Sequence, residues 1–99
     1  MRLSEYQLEV IRDAVTESFG EDHALFLFGS RTDDQARGGD IDLYIETTLD
    51  KEKAYQAELK LLTSLQRKLG EQKIDIIVRA AGSTPLPVYQ EARRTGIRL

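Results

Sequence analysis

Apolar residues recur along this chain at two different periods. Leu8, Ile11, Val15 and Phe19 are spaced at helical intervals and make one stripe. Start signals precede them: Ser4 and Gln7 have the spacing of a capping box, and Leu3 and Leu8 that of a hydrophobic staple. Gly20 can stop this helix in a left-handed conformation. Ala24 to Phe28 is a short apolar run with two aromatics, which favours a buried strand. A polar loop from Gly29 to Gly39 follows, and then Asp40 to Ile45 alternates strictly. Ile41, Leu43 and Ile45 share one face of that strand, and Asp40, Asp42 and Tyr44 the other.

The helical period returns between about Asp50 and Leu69, where Ala54, Ala57, Leu61, Leu65 and Leu69 form the stripe and Gly70 closes it. Lys73 to Arg79 reads as a third strand, and Ala80 to Thr84 as a loop. Pro85 or Pro87 can open a last helix through Arg94, since proline is tolerated at the first helical position. Gly96 ends it, and Ile97 and Leu99 are placed to tuck back against the core. The order is α-β-turn-β-α-β-α. A long helix joins the second and third strands, which makes them parallel neighbours. A loop joins the first two, which predicts an antiparallel pair. The expected fold class is α+β, a small mixed sheet in strand order 1-2-3 packed by helices.

Composition narrows the function. The 99 residues correspond to a single domain, residues 1–99, with 40% hydrophobic and 31% charged residues, which argues against disorder. The longest apolar run is the five residues Ala24 to Phe28, against about 20 for a membrane span. The first residues lack the apolar core of a signal peptide, and cytoplasmic residence is the expectation. No cysteine is present, which removes disulfides and thiolate chemistry. His23 is the only histidine and reads as a cap or loop residue. The net charge is −3, and Arg93, Arg94 and Arg98 make a weak basic patch among acids, so a long nucleic acid is disfavoured.

Candidate chemistry concentrates on carboxylates. Asp40 and Asp42 lie two apart in one strand, with Cα atoms about 6.5–7 Å apart. Two bare carboxylates on one sheet face repel each other and resist burial. A divalent cation offsets that cost, and magnesium takes carboxylate and phosphate oxygens. Asp75 sits between Ile74 and Ile76 in the next strand, where it can face the pair. Three carboxylates on neighbouring strands are the framework of a two-metal phosphoryl-transfer site. Gly29-Ser30 follows the first strand directly. Glycine there lets backbone approach a phosphate, and the Ser30 N–H and hydroxyl can donate to it. Arg31 and Arg37 flank this turn and could pair with a triphosphate. Asp40 and Asp42 could instead be acids on an open strand face, Asp75 an edge-strand guard charge, and Tyr44 a packing residue rather than a base-stacking one.

Phe28-Gly29-Ser30, nine intervening residues, then Asp40-Ile41-Asp42-Leu43 and a later Ile74-Asp75-Ile76 closely resemble the signature of the polymerase-beta-like nucleotidyltransferase superfamily. The strings Gly29-Ser30-Arg31 and Gly38-Gly39-Asp40-Ile41-Asp42-Leu43 look like its minimal, MNT-type group, whose members are often encoded beside a helical HEPN protein. Several act as antitoxins that adenylylate a tyrosine of that partner with ATP and Mg²⁺. The resemblance implies that Asp40, Asp42 and Asp75 are catalytic and hold two magnesium ions. It implies that Gly29, Ser30, Arg31 and Gly39 bind the nucleotide, and that a hetero-oligomer with a HEPN protein forms. Asp33 and Asp34 depart from arginine-rich versions of the loop and put two acids near the triphosphate. So short a chain leaves little surface to enclose a small acceptor, which favours a protein acceptor. The alternatives are a non-catalytic antitoxin or scaffold that grips a helical partner around Val88 and Tyr89, or transfer to a small molecule.

Overall fold

A computed structural model describes residues 3–29, 40–70 and 72–99. The elements are α1 (Glu5–Phe19), β1 (His23–Phe28), β2 (Ile41–Thr47), α2 (Lys51–Leu69), β3 (Ile74–Arg79), α3 (Pro87–Thr95) and β4 (Ile97–Arg98). The start of α1 is the capping box read from the sequence. The Gln7 N–H donates to Ser4 Oγ at 3.1 Å, and the Ser4 N–H donates to Gln7 Oε1 at 3.0 Å. Leu3 packs against the core beside this start. His23 Nδ1 lies 2.7 Å from the Gly20 carbonyl just past the helix end, the position of a cap residue. The last helix opens at Pro87 and runs to Thr95, one residue beyond Arg94.

β1 pairs antiparallel with β2, and β2 pairs parallel with β3. The α+β architecture and the run 1-2-3 are as the pattern requires. The sheet carries one strand more than the sequence reading supplied: β4 pairs antiparallel with β1, giving the order β3-β2-β1-β4. Backbone proximity is the reason. A Cβ at Gly96 would collide with the Ala92 carbonyl oxygen at the end of α3 and crowd the Leu27 carbonyl oxygen at 3.1 Å, so glycine lets the chain leave the helix and turn closely onto β1. The Leu99 N–H then donates to the Leu25 carbonyl at 2.9 Å. The tail tucks back by sheet pairing as well as by packing.

The alternation in β2 separates two cores. Ile41, Leu43 and Ile45 are fully buried against Ile11, Val15, Phe19, Leu61 and Leu65 of α1 and α2. Burial of such side chains is worth about 1.5–3 kcal/mol each and fixes the strand's register, because a one-residue slip would expose all three. On the opposite face Tyr44 is fully buried with Phe26 and Ala92, and Tyr89 of α3 packs on them. Its ring lies 5.8 Å from Phe26 and 5.9 Å from Tyr89. Tyr44 is therefore a packing residue that seats α3. Its hydroxyl donates to Glu46 Oε2 at 2.9 Å, and Arg93 of α3 donates to the other oxygen of the same carboxylate.

Burial, reinforced by the neighbouring Glu46 carboxylate, pushes the Tyr44 phenol from 10.0 up to about 12. The stability tied to its neutral form is fully present below 10.0 and is lost as pH rises through about 12. Alkaline ultraviolet titration is expected to show a phenol ionising near that upper value and loosening α3, a step absent from Tyr44→Phe.

Candidate active site

Asp42 is the second residue of β2 and Asp75 the second residue of β3. The parallel register sets the two opposite each other, Ile41 beside Ile74 and Asp42 beside Asp75. They face the sheet side that carries Tyr44, and their carboxyl groups come within hydrogen-bonding reach. Burial, then the charges of Asp75 and Asp40, push the Asp42 carboxyl above its ordinary value of 3.8, and the Lys73 ammonium pulls the other way. At neutral pH this pair is repulsive, and the fold holds it together at a cost.

Asp40 stands beside the pair and is partnered elsewhere. It lies one residue before β2, and its Oδ2 is 3.4 Å from Lys73 Nζ. Backbone fixes that neighbourhood, because the Ile41 N–H donates to the Lys73 carbonyl at 3.1 Å. The ion pair is solvent-exposed and of small worth by itself. Among the described residues, no three acidic or imidazole groups stand already gathered at metal-holding distance. Asp42 and Asp75 are together, while Asp40 is turned to a lysine. Lys73 was missed in the sequence, where a lysine opening a strand carries no signal of its own.

Gly29 follows β1 directly and has φ +78°, a conformation that side chains other than glycine's rarely adopt. The sequence reading gave it a role in phosphate approach. The structure adds a contact: the Asp42 carboxylate lies flush against its Cα, where any Cβ would collide with it. A glycine at this turn is thus needed for the aspartate to lie where it does. Ser30, Arg31, Arg37 and Gly39, together with Asp33 and Asp34, lie outside the described residues.

The donor set suits a hard divalent cation. It consists of carboxylate oxygens only, with the Asp42 and Asp75 carboxylates forced together and a third carboxylate, Asp40, two residues before Asp42 in the chain. Two surface hollows among the described residues, of about 410 and 380 Å³, lie at the other end of β2 around Glu46 and Thr47, and neither is lined by any of the three aspartates. No described helix is long and apolar enough to cross a membrane.

In comparisons with known proteins, the family model described as "Polymerase beta, Nucleotidyltransferase" matches residues 13–99. No curated protein matches the chain.

Proposed function

From the premise that the chain belongs to the polymerase beta nucleotidyltransferase family, we propose that it moves AMP from ATP to a hydroxyl in a magnesium-dependent reaction. The acceptor is a tyrosine of a HEPN-type helical partner, which makes the protein an antitoxin. The observation that carries the catalytic part is the placement of Asp42 against Asp75 across the parallel strand pair, with Gly29 closed onto Asp42. The partner and its tyrosine are supported by the resemblance of the glycine-serine turn and the paired aspartates to the minimal members of the family.

Asp40, Asp42 and Asp75 would hold the magnesium, which supplies positive charge against the triphosphate and the developing charge at phosphorus. The acceptor oxygen forms a bond to the α-phosphorus while the bond from that phosphorus to the bridging oxygen breaks, and pyrophosphate leaves. The exposed Asp75 carboxylate takes the hydroxyl proton. Gly29 lets the backbone lie close to the phosphates, and Ser30, Arg31 and Gly39 bind their oxygens. For Asp40 to join the other two as a ligand, Lys73 would give up its ion pair with it.

A second reading, neutralisation of a helical partner by contact alone, is favoured by one observation. Leu86 and Val88, at the start of α3, are 44% and 43% exposed although apolar. The deciding experiment supplies labelled ATP and Mg²⁺ with the product of the neighbouring gene, and compares wild type with Asp40→Ala/Asp42→Ala. Label on the partner in the wild type alone is the expected result. No transfer from any of the four nucleoside triphosphates, with neutralisation intact in both forms, would leave the contact reading.

A further inference from the structure

The sheet has unequal edges. β4 closes one side with only two residues, whereas β3 ends the other with six. The Ile41 N–H donates to the Lys73 carbonyl, which fixes the phase of the parallel ladder. Lys73, Asp75, Ile77 and Arg79 therefore turn their backbone groups to β2, and Ile74, Ile76 and Val78 turn theirs outward. Among the described residues, no backbone hydrogen bond from outside the sheet reaches Ile76 or Val78. Beside this edge a groove of about 190 Å³ is lined by Tyr55, Glu58, Val78 and Tyr89, residues from α2, β3 and α3. Tyr55 is 62% exposed. Edges of this length are normally guarded by charge, proline or a bulge, and here the guard charges have a particular order, Lys73, Asp75 and Arg79.

That order discriminates between registers of an antiparallel pair made by two copies of β3. Outward-facing residues must lie opposite each other. Centring the two-fold axis on Ile76 sets Lys73 opposite the partner's Arg79, which repels. Centring it on Ile77 sets Ile76 opposite the partner's Val78, with both backbones exchanging hydrogen bonds. The same register sets Asp75 opposite the partner's Arg79, twice. Those are non-hydrogen-bonded positions, where side chains approach most closely. Asp75 is exposed and reachable. Tyr55 lines the groove with Val78, the residue that this register sets opposite the partner's Ile76.

We propose that β3 is a self-association edge, and that two copies pair antiparallel about Ile77 into a continuous sheet held by reciprocal Asp75–Arg79 pairs. An isologous contact of this kind closes after two copies. It also brings a guanidinium from the second copy beside Asp75, so that a partner residue reaches the edge of the candidate site. A contact between two six-residue edges belongs to the small, transient class, and a dissociation constant on the order of 100 μM is expected.

Sedimentation equilibrium at concentrations spanning that value tests it, with hydrogen exchange followed at the same concentrations. The wild type is expected to reach twice its 11.2 kDa mass, with the Ile76 and Val78 amides slowing as dimer forms. Arg79→Glu, which faces the partner's Asp75 with a like charge, is expected to weaken association at least about tenfold. The exchange Asp75→Arg/Arg79→Asp restores it, because the same register then pairs the reversed charges. Tyr55→Ala weakens the dimer and keeps the fold, as circular dichroism checks. A wild type that stays monomeric throughout, or a dimer that the charge reversal leaves unchanged, overturns the proposal. So do Ile76 and Val78 amides that become protected only when a separate helical protein is added, an outcome that assigns the edge to that protein.

Discussion

Asp42→Asn is expected to make the metal-free protein more heat-stable while lowering nucleotidyl transfer by about 10³-fold or more. Both effects come from one charge. The Asp42 carboxyl is pushed up by burial and by Asp75 and Asp40, so its ionised form is held in the native state against its preference. Asparagine keeps the shape that lies flush against Gly29 and removes the charge. It also removes an oxygen ligand of hard character, on which the proposed magnesium site depends. The stability gain has a pH signature. A carboxyl with a raised native pKa contributes stability that is fully present below its unfolded value of 3.8 and is lost as pH rises through the raised native value. The variant's advantage over the wild type should therefore be absent in strong acid, appear across that window and persist at neutral pH. Thermal denaturation against pH, with and without Mg²⁺, measures it. Mg²⁺ is expected to raise the melting temperature of the wild type and to leave that of Asp42→Asn nearly unmoved. A variant that is destabilised at neutral pH without metal would show that the Asp42 carboxylate is a favourable partner in the fold, and would remove the argument that a cation is needed there.

This opposition between stability and chemistry is a common mark of functional sites, where groups are kept in states the fold alone would not choose. Elsewhere in the same sheet, charge is handled differently. Glu46 shares the β2 face of Asp42, four residues on, and burial weighs against its charge too. Hydrogen bonds from Arg93 and Tyr44 outweigh that cost and hold its carboxyl below the ordinary value. Two acids on one strand face thus have opposite fates, because one is given donors and the other is given a second acid.

Much of this was legible in the residues. The period of Ile11, Val15 and Phe19, the capping pair Ser4 and Gln7, and the alternation in β2 are local signals, and local signals survive folding when tertiary packing agrees with them. That Asp75 can face the Asp40/Asp42 pair followed from connectivity, because a helical crossover makes strands parallel neighbours; that it stands opposite Asp42 is set by the register, which connectivity leaves open. β4 was not legible, since Ile97-Arg98 is too short to carry a period and its pairing depends on how closely Gly96 approaches β1. The alternation placed Tyr44 on the polar face of β2 but could not say what covers it, because Phe26, Tyr89 and Arg93 meet there only after α3 docks. The Asp40–Lys73 pair was hidden for a similar reason. It joins residues 33 positions apart, and lysine before a strand is commonplace.

Gly29→Ala is the substitution that most directly tests how the turn and the aspartate depend on each other. Two costs combine. At φ +78° a side chain strains the backbone, by about 1–2 kcal/mol. The new methyl also collides with the Asp42 carboxylate, which must shift from its place beside Asp75 to make room. Displacing a reacting group's neighbour by about 1 Å is enough to cost on the order of 10²-fold in rate. The expected result is a protein that folds with reduced stability and transfers nucleotide at least about 10²-fold more slowly. The two costs separate in a double-mutant cycle. In an Asp42→Ala background the carboxylate is gone, the methyl enters vacated space, and only the backbone strain remains. Gly29→Ala should then destabilise less in that background than in the wild type, a non-additive result of the kind that contacting residues give. Urea denaturation of the four proteins measures it. An equal loss in both backgrounds would assign the whole effect to backbone conformation. It would also mean that Asp42 is positioned by β2 and Asp75 without help from the turn.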